Sequence, residues 1–380
     1  MRLSKNVTTG GFAHIKAVTT GGDFPVVIQT MWKDRLSSAD LEGTAGEAIV
    51  RRINSLAAAG CGLLRFAVPD LASAETLGHL AEMVSMPLTA DIHFDYRIAL
   101  RCMDFPIAKI RINPGNIGGR QRVQAVLEKA AGKGVSIRIG VNAGSLPQDL
   151  RRRVEGGMGR AEALAEAAGR ELALCREFGF DRVLVSMKAS GIADTINANR
   201  ILAERTDVPL HIGVTEAGPL AAGIVRNTAA LLFLLADGIG DTVRVSLSDT
   251  MENEIIAGKE ILAAAAEIMA SKTAGSGTEA AVHRLRQGGV TVISCPRCGR
   301  YGFDTHSFTA RWLSRLYAMH KQLTVAVMGC AVNGPEEARH ADLGITGAGD
   351  SVLIFRHGKV VRTISAVEAD AAFAEELERL

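Results

Sequence analysis

Several things are scarce in this chain. Aromatic residues make up only 4% of its 380 residues, with Trp at 2 and Tyr at 3, so there is little of the surface on which nucleic-acid binders stack bases. Neither sign of charge dominates. Lys plus Arg is 43 against 41 for Asp plus Glu, a net charge of +2, and a dedicated nucleic-acid binder would show a strongly basic face. Six cysteines are too few for a disulfide scaffold and fit a reducing, cytoplasmic setting. The longest apolar runs, such as residues 229–236, fall far short of a bilayer. The opening Met1-Arg-Leu-Ser-Lys-Asn6 has no apolar core of the kind a secretory signal needs, so none is expected.

What the chain has in quantity is apolar residues, 47% against 22% charged, enough for a sizeable core. From about residue 25 to 270 short β-rich runs alternate with longer Ala-, Leu- and Glu-rich stretches of helical spacing. The β runs fall at 26–31, 63–68, 88–92, 108–113, 136–142, 182–188, 210–215 and 242–248. Eight strands, each followed by a helix, predict a parallel (β/α)8 barrel over residues 1–270, with a doubly wound open sheet as the rival. Residues 271–279 are small, polar and glycine-bearing and read as a linker. After them the rhythm changes. Strands are expected at 290–294 and 324–328 with a helix at about 308–320 between them. A hairpin turning at His357-Gly358 and a terminal helix follow. Residues 280–380 thus form a smaller α/β domain.

The alternation within the barrel strands carries more information. Period two puts Arg244, Ser246 and Ser248 opposite Val243, Val245 and Leu247. The same split sets Thr89, Asp91 and His93 against Leu88, Ala90 and Ile92, and Lys109, Arg111 and Asn113 against Ile110 and Ile112. Arg138 and Asn142 oppose Ile137, Ile139 and Val141. Lys188 shares a face with Ser186, and Arg65 with Ala67. With the apolar set facing the helices, the lumen holds at least Arg65, Arg111, Arg138, Lys188 and Arg244, where an ordinary barrel is filled with branched aliphatics. Asp91 and Glu216 are placed to neutralise some of these, but cations outnumber acids. A buried charge without a partner costs about 3–5 kcal/mol, so the excess calls for an external anion. Arginine's planar fork suits phosphate oxygens. A multiply charged phosphate or diphosphate is therefore expected at the C-terminal mouth. Two loops, Asn113-Pro-Gly-Asn-Ile-Gly118 and Asn142-Ala-Gly-Ser145, follow strands and can turn backbone N–H groups toward it.

Cys295-Pro-Arg-Cys298 follows one predicted strand of the second domain and Cys330 the next. Cys61, Cys102 and Cys175 stand singly among apolar neighbours and read as core. A lone CxxC is ambiguous between a redox dithiol, zinc and iron–sulfur; the third cysteine favours a metal centre. The fourth ligand is then not a cysteine, and Glu336 or Glu337 is well placed. Structural zinc remains the competing reading of the spacing.

These stretches together match a known family. Ala90-Asp-Ile-His-Phe-Asp-Tyr-Arg-Ile-Ala99, Arg111-Ile-Asn-Pro-Gly-Asn-Ile-Gly118, Ile137-Arg-Ile-Gly-Val-Asn-Ala-Gly-Ser-Leu146, Ser186-Met-Lys-Ala-Ser190, Gly213-Val-Thr-Glu-Ala-Gly218, Gly238–Leu247, Ser294–Arg300 and the Cys330 segment run in order through nearly the whole chain. It resembles the bacterial 4-hydroxy-3-methylbut-2-enyl diphosphate synthases of the non-mevalonate isoprenoid pathway. The resemblance implies a barrel followed by a cluster domain. It implies a [4Fe–4S] cluster on Cys295, Cys298, Cys330 and Glu337, and 2-C-methyl-D-erythritol 2,4-cyclodiphosphate as substrate, opened and dehydrated with two electrons from flavodoxin or ferredoxin. Arg65, Arg111, Arg138 and Lys188 would hold the diphosphate, with Asn113, Asn142, Arg244 and Ser246 beside them. Glu216 and His93 fall on motif positions at the same mouth. The resemblance also implies head-to-tail homodimers in which one subunit's cluster caps the other's barrel. Two departures stand out. Gly334-Pro-Glu-Glu337 replaces the usual Gly-Pro-Gly-Glu, and Gln29-Thr-Met-Trp-Lys-Asp34 replaces a run richer in Thr and Asn. The rival enzyme reading is an aldolase-like, non-redox phosphate-binding barrel with Lys188 as a Schiff-base lysine and a structural zinc domain.

Overall fold

The computed structural model describes residues 2–272, 278–286, 288–296, 301–331, 334–336 and 338–380. The chain divides into two compact units, Met1–Gln287 and Gly288–Leu380.

In the first unit the eight runs become parallel strands: β1 (Val27–Met31), β2 (Leu63–Ala67), β3 (Leu88–Asp91), β4 (Lys109–Ile112), β5 (Ser136–Asn142), β6 (Val183–Lys188), β7 (His211–Ile212) and β8 (Thr242–Val243). They lie in the order β6-β5-β4-β3-β2-β1-β8-β7. A parallel bridge from Val185 on β6 to Leu210, just ahead of β7, closes the ring, which excludes the open sheet. The apolar set of each strand, among them Ile110, Ile112, Ile137 and Ile139, is fully buried under the surrounding helices. Local chemistry sets the helix ends. Asp70 accepts a hydrogen bond of 2.7 Å from the Ser73 amide to open Leu71–Met83, the usual role of an N-cap carboxylate. Gly134, at φ +69, closes Arg120–Lys133 in a left-handed turn that suits glycine.

Two features depart from the sequence expectation. A hairpin of Val7–Thr9 with Val18–Thr20 precedes the barrel. It and the residue Lys5 before it bond to chain at or just ahead of the strand starts: the Lys5 amide to Asp207 O at 2.7 Å, the Lys16 amide to Ser85 O at 2.9 Å, and Thr9 Oγ1 to Ser136 Oγ at 2.8 Å. The hairpin thus crosses the N-terminal end of the barrel. At the other boundary, the long helix Met251–Lys272 takes in the first residues of the expected linker, and residues 273–277 lie outside the described residues. The next helix, Thr278–Leu285, belongs to the barrel unit rather than to the second domain. Arg284 is the reason. Its guanidinium reaches buried Asp241 at 2.7 Å, and its carbonyl accepts from the Val26 amide at 2.8 Å.

The second unit is a five-stranded sheet of β9 (Val290–Ser294), β10 (Leu323–Met328), β11 (Leu343–Ala348), β12 (Ser351–Arg356) and β13 (Lys359–Ile364) in sequential order. β9, β10 and β11 are parallel, and β12 and β13 are antiparallel additions. Helices Thr305–Tyr317 and Ala369–Glu378 bring Phe308, Trp312 and Phe373 into one aromatic core. The hairpin turns at His357 and Gly358, both at positive φ, as the sequence predicts. β11 was not predicted. Its glycines are there for contact: a side chain on Gly344 would start 2.0 Å from the Phe355 ring, a close approach that only glycine permits.

Candidate active site

The lumen cations are where the alternation put them. Neighbouring strands stack Arg65 beside Thr89, Asp91 beside Arg111, and Arg111 beside Arg138. Asp91 is the first organiser. It accepts from Arg65 Nη2 at 2.6 Å and from Arg111 Nη1 at 3.1 Å, with His93 Nε2 at 3.4 Å. Burial works to raise its pKa, but Arg65, His93 and Arg111 outweigh that and hold the carboxyl well below the usual carboxylate range. Arg111 also donates to Gly140 O at 3.4 Å, and a side chain on Gly140 would start 2.2 Å from the Arg111 guanidinium.

The second organiser escaped the sequence reading. Glu254, on the first turn of Met251–Lys272, is fully buried and accepts from Thr30 Oγ1 (2.6 Å), Lys33 Nζ (2.6 Å), Arg244 Nη2 (3.1 Å) and the Leu247 amide (3.0 Å). Burial pushes its pKa up, yet Arg244 and these hydrogen bonds bring it below the ordinary value. Lys33 of the unusual first loop is therefore one more cation at the barrel rim, while Trp32 is buried and stacks on Phe66. The expected counter-charge, Glu216, takes a different part: it is exposed and pairs with no cation among the described residues. Its φ is +52, in the left-handed region that is uncommon for a residue with a side chain and that clusters at functional sites.

Charge then remains in excess. Arg138, almost fully buried, donates to Gln29 Oε1 at 2.8 Å, and its Nε has no partner. Neither Arg138 nor Lys188 makes an ion pair among the described residues. Burial, and then the neighbouring guanidiniums, hold both well below their ordinary pKa values; Arg65 and Arg111 act on Arg138, Arg138 and Arg244 on Lys188. Lys188 leans against Gly213, where a side chain would start 2.9 Å from Nζ. Lys109, which the alternation put in the lumen but which was not counted, is buried one layer deeper. Burial and Arg138 push it down to about 7. His211 is fully buried with Nδ1 2.7 Å from Thr242 Oγ1, and burial plus Lys188 and Arg138 keep its ring neutral.

Above this layer opens a cavity of about 710 Å³ lined by His93, Arg111, Asn113, Asn142 and Glu216. Arg65, Arg138, Lys188, Arg244 and Ser246 are not in its wall. Ser246 is half-buried, two residues beyond Arg244. The cavity wall also includes Arg151 and Glu171. Glu171, on the helix Arg160–Glu177, has its carboxyl raised to about 6 by burial. No sequence signal set it apart from the other helical glutamates.

In the second unit Cys295 and Cys330 leave the same ends of adjacent parallel strands. The Cys295 amide donates to Val327 O at 2.9 Å, and a side chain on Gly329 would start 3.7 Å from Cys295 Sγ. Gly329 thus lies in ordinary contact distance of the Cys295 thiol. Two thiols at the same ends of neighbouring strands fit an iron–sulfur group as donors. Cys298 and Glu337 lie outside the described residues. Glu336 is exposed and lines a groove with Arg339, His357 and Lys359. Cys61, Cys102 and Cys175 are buried in the barrel unit, and burial pushes each thiol up to about 12, as core cysteines require.

Residues 12–259 match the GcpE TIM-barrel domain, and residues 291–379 match the GcpE protein C-terminal domain. The chain belongs to the GcpE family. The two GcpE matches fall one in each compact unit. Relatives carry the name 4-hydroxy-3-methylbut-2-en-1-yl diphosphate synthase (flavodoxin). The chain is 50% identical to the one from Treponema pallidum, over 99% of this chain and 92% of that protein. It is 46% identical to the one from Treponema denticola, over 100% and 99%. A third, from Geobacter sulfurreducens, is 42% identical over 96% and 95%. No helix among the described residues of this GcpE chain is long and apolar enough to cross a membrane.

Proposed function

We propose that this chain is a cytoplasmic oxidoreductase that converts 2-C-methyl-D-erythritol 2,4-cyclodiphosphate to 4-hydroxy-3-methylbut-2-enyl diphosphate. The cyclic ring opens, a hydroxyl leaves as water and two electrons enter. The single observation that carries the reading is the buried cation set of Arg138, Lys188 and Lys109, none of which makes an ion pair among the described residues. A multiply charged anion is the counter-charge such a set calls for when its members are protonated. The relatives' shared name supplies the skeleton of that anion.

Each residue then has a task. Arg65 and Arg111, fixed by Asp91, and Arg244, fixed by Glu254, present guanidinium forks whose geometry is set before substrate arrives. Such preorganisation favours charge developing on a leaving phosphate oxygen. Arg138 and Lys188 take the remaining phosphate charge. His93, within 3.2 Å of Arg111 Nη1, and Glu216 stand at the cavity wall, where a proton for the departing hydroxyl is required. Asn113 and Asn142 orient the carbon skeleton. Cys295, Cys298, Cys330 and Glu337 hold a [4Fe–4S] cluster, which supplies electrons one at a time when bound. Flavodoxin or ferredoxin is the electron donor, and the chain works as a head-to-tail homodimer.

Anaerobic purification followed by iron and acid-labile sulfide analysis tests the reading. About four of each per chain are expected for a cubane cluster. Stoichiometric zinc without sulfide would overturn it in favour of a non-redox phosphate-binding barrel.

A further inference from the structure

We infer that the groove between Pro335, Glu336 and Arg339 on one side and the β12–β13 turn on the other is the docking surface for a small acidic electron-carrier protein, with Arg339 and Lys359 as its anchoring cations. The inference rests on the redox reading above and adds a partner surface to it.

The groove, about 530 Å³, is lined by Pro335, Glu336, Arg339, His357, Gly358 and Lys359. Its two walls are held together by backbone. A side chain on Gly358 would start 2.9 Å from Pro335 O and 3.0 Å from Arg339 Cβ, and the His357 amide donates to Ala341 O at 3.0 Å. The wall that carries Arg339 is tied back to Cys330 by two backbone bonds: the Ala338 amide donates to Gly334 O and the Gly334 amide to Cys330 O, each at 3.1 Å. A protein seated in this groove thus touches the chain segment that begins at Cys330.

The charge is of one useful kind. Arg339 and Lys359 are exposed and make no ion pair among the described residues. Every other described arginine of this unit is held by a carboxylate: Arg311 by Asp370, Arg315 by Glu378, and Arg356, Arg362 and Arg379 by Glu376. Glu336 brings one negative charge to the groove, and His357 stands 3.8 Å from Asp342. Arg339 and Lys359 therefore face each other unneutralised across the groove, one on each wall. Beside them the edge strand β13 offers apolar contact. Val360 is 48% exposed, and Val361, at a bulge in the pairing with β12, is 45% exposed. An apolar centre with a charged rim is how transient protein interfaces are built. Electron-transfer encounters lie at the small, weak end of such interfaces and lean on charge for their rate. Flavodoxin-type carriers present acidic surfaces, and these complement the two cations.

The test uses the reconstituted full-length protein and a purified bacterial flavodoxin. Binding is measured by calorimetry at two salt concentrations. Turnover is measured with the flavodoxin and, separately, with dithionite-reduced methyl viologen, which needs no docking surface. The double variant Arg339→Glu with Lys359→Glu should raise the flavodoxin Kd about tenfold and flatten its salt dependence. Viologen-driven turnover and the cluster absorbance should be unchanged. The milder pair Arg339→Gln with Lys359→Gln should show the same effect, smaller. Unchanged flavodoxin binding in both variants would overturn the proposal, as would a viologen-driven rate that falls in step with the flavodoxin-driven one. A wild-type protein inactive even with viologen would instead overturn the redox reading beneath it.

Discussion

Among single residues, Lys109 has the least support and the clearest consequence. Burial and Arg138 push its ammonium down to about 7, against about 10.4 in an unfolded chain. Between those values the unfolded chain binds the extra proton, so the cost to the fold is full below pH 7 and relieved as pH rises. Stability should therefore climb from pH 7 to 9, by up to about 1.4 kcal/mol per pH unit from this group. Lys109→Met should remove that slope and raise the urea midpoint at pH 7; a slope equal to wild type would show that Lys109 keeps its charge in the fold. Glu336 and Glu337 give the second residue-scale prediction. Glu336 faces the groove of Arg339 and Lys359, and in the proposed donor set Glu337 completes the three thiols. Glu337→Ala should bleach the cluster absorbance and cut turnover at least tenfold, whereas Glu336→Gly should leave the absorbance unchanged. The reverse pattern would place the ligand one residue earlier.

At the scale of elements, β5 matters more than its sequence suggests. Gly140 sits where any side chain would strike the Arg111 guanidinium, and Arg111 cannot swing away because Asp91 holds it at 3.1 Å. Gly140→Ala should therefore raise the substrate KM about tenfold or more while the cluster spectrum stays intact; a KM within twofold of wild type would mean that Arg111 has room to move. The same elements show what a sequence can reveal. The period of two placed Arg65, Asp91, Arg111, Arg138, Lys188 and Arg244 in the lumen because strand direction alone decides it. Glu254 and Glu171 were invisible for the converse reason. They lie on helices, and only tertiary packing turns one into the barrel wall and the other into the cavity. β11 was hidden by Gly344, which lowers strand propensity so that Phe355 can lie against it. The N-terminal hairpin was missed because three-residue strands carry too little pattern to read.

For the molecule as a whole, the lumen cations proposed to bind phosphate and the cysteines proposed to hold a cluster lie in different compact units. Damage to one should then leave the other chemically intact. In the proposed head-to-tail dimer, a Cys330→Ser chain mixed with an Arg111→Ala chain should regain up to about a quarter of wild-type activity, because random pairing gives half heterodimers with one sound site each. Rates from the mixture no higher than those of the separate variants would count against shared sites. Family membership was legible in the sequence from long ordered motifs, but the true end of the barrel unit was not. It depends on Arg284 finding Asp241, a contact between residues more than forty positions apart.

The hairpin across the N-terminal end of the barrel has a kinetic consequence. Thr9, Thr20 and Ser136 are fully buried there, so the lumen is a vessel with one door. Product must leave through the opening by which substrate entered, and neither can pass the other inside. The diphosphate product should accordingly inhibit as a simple competitor of the substrate, with no complex in which both are bound. Traffic through that door, rather than bond breaking within, then sets an upper limit on how fast the vessel can be refilled.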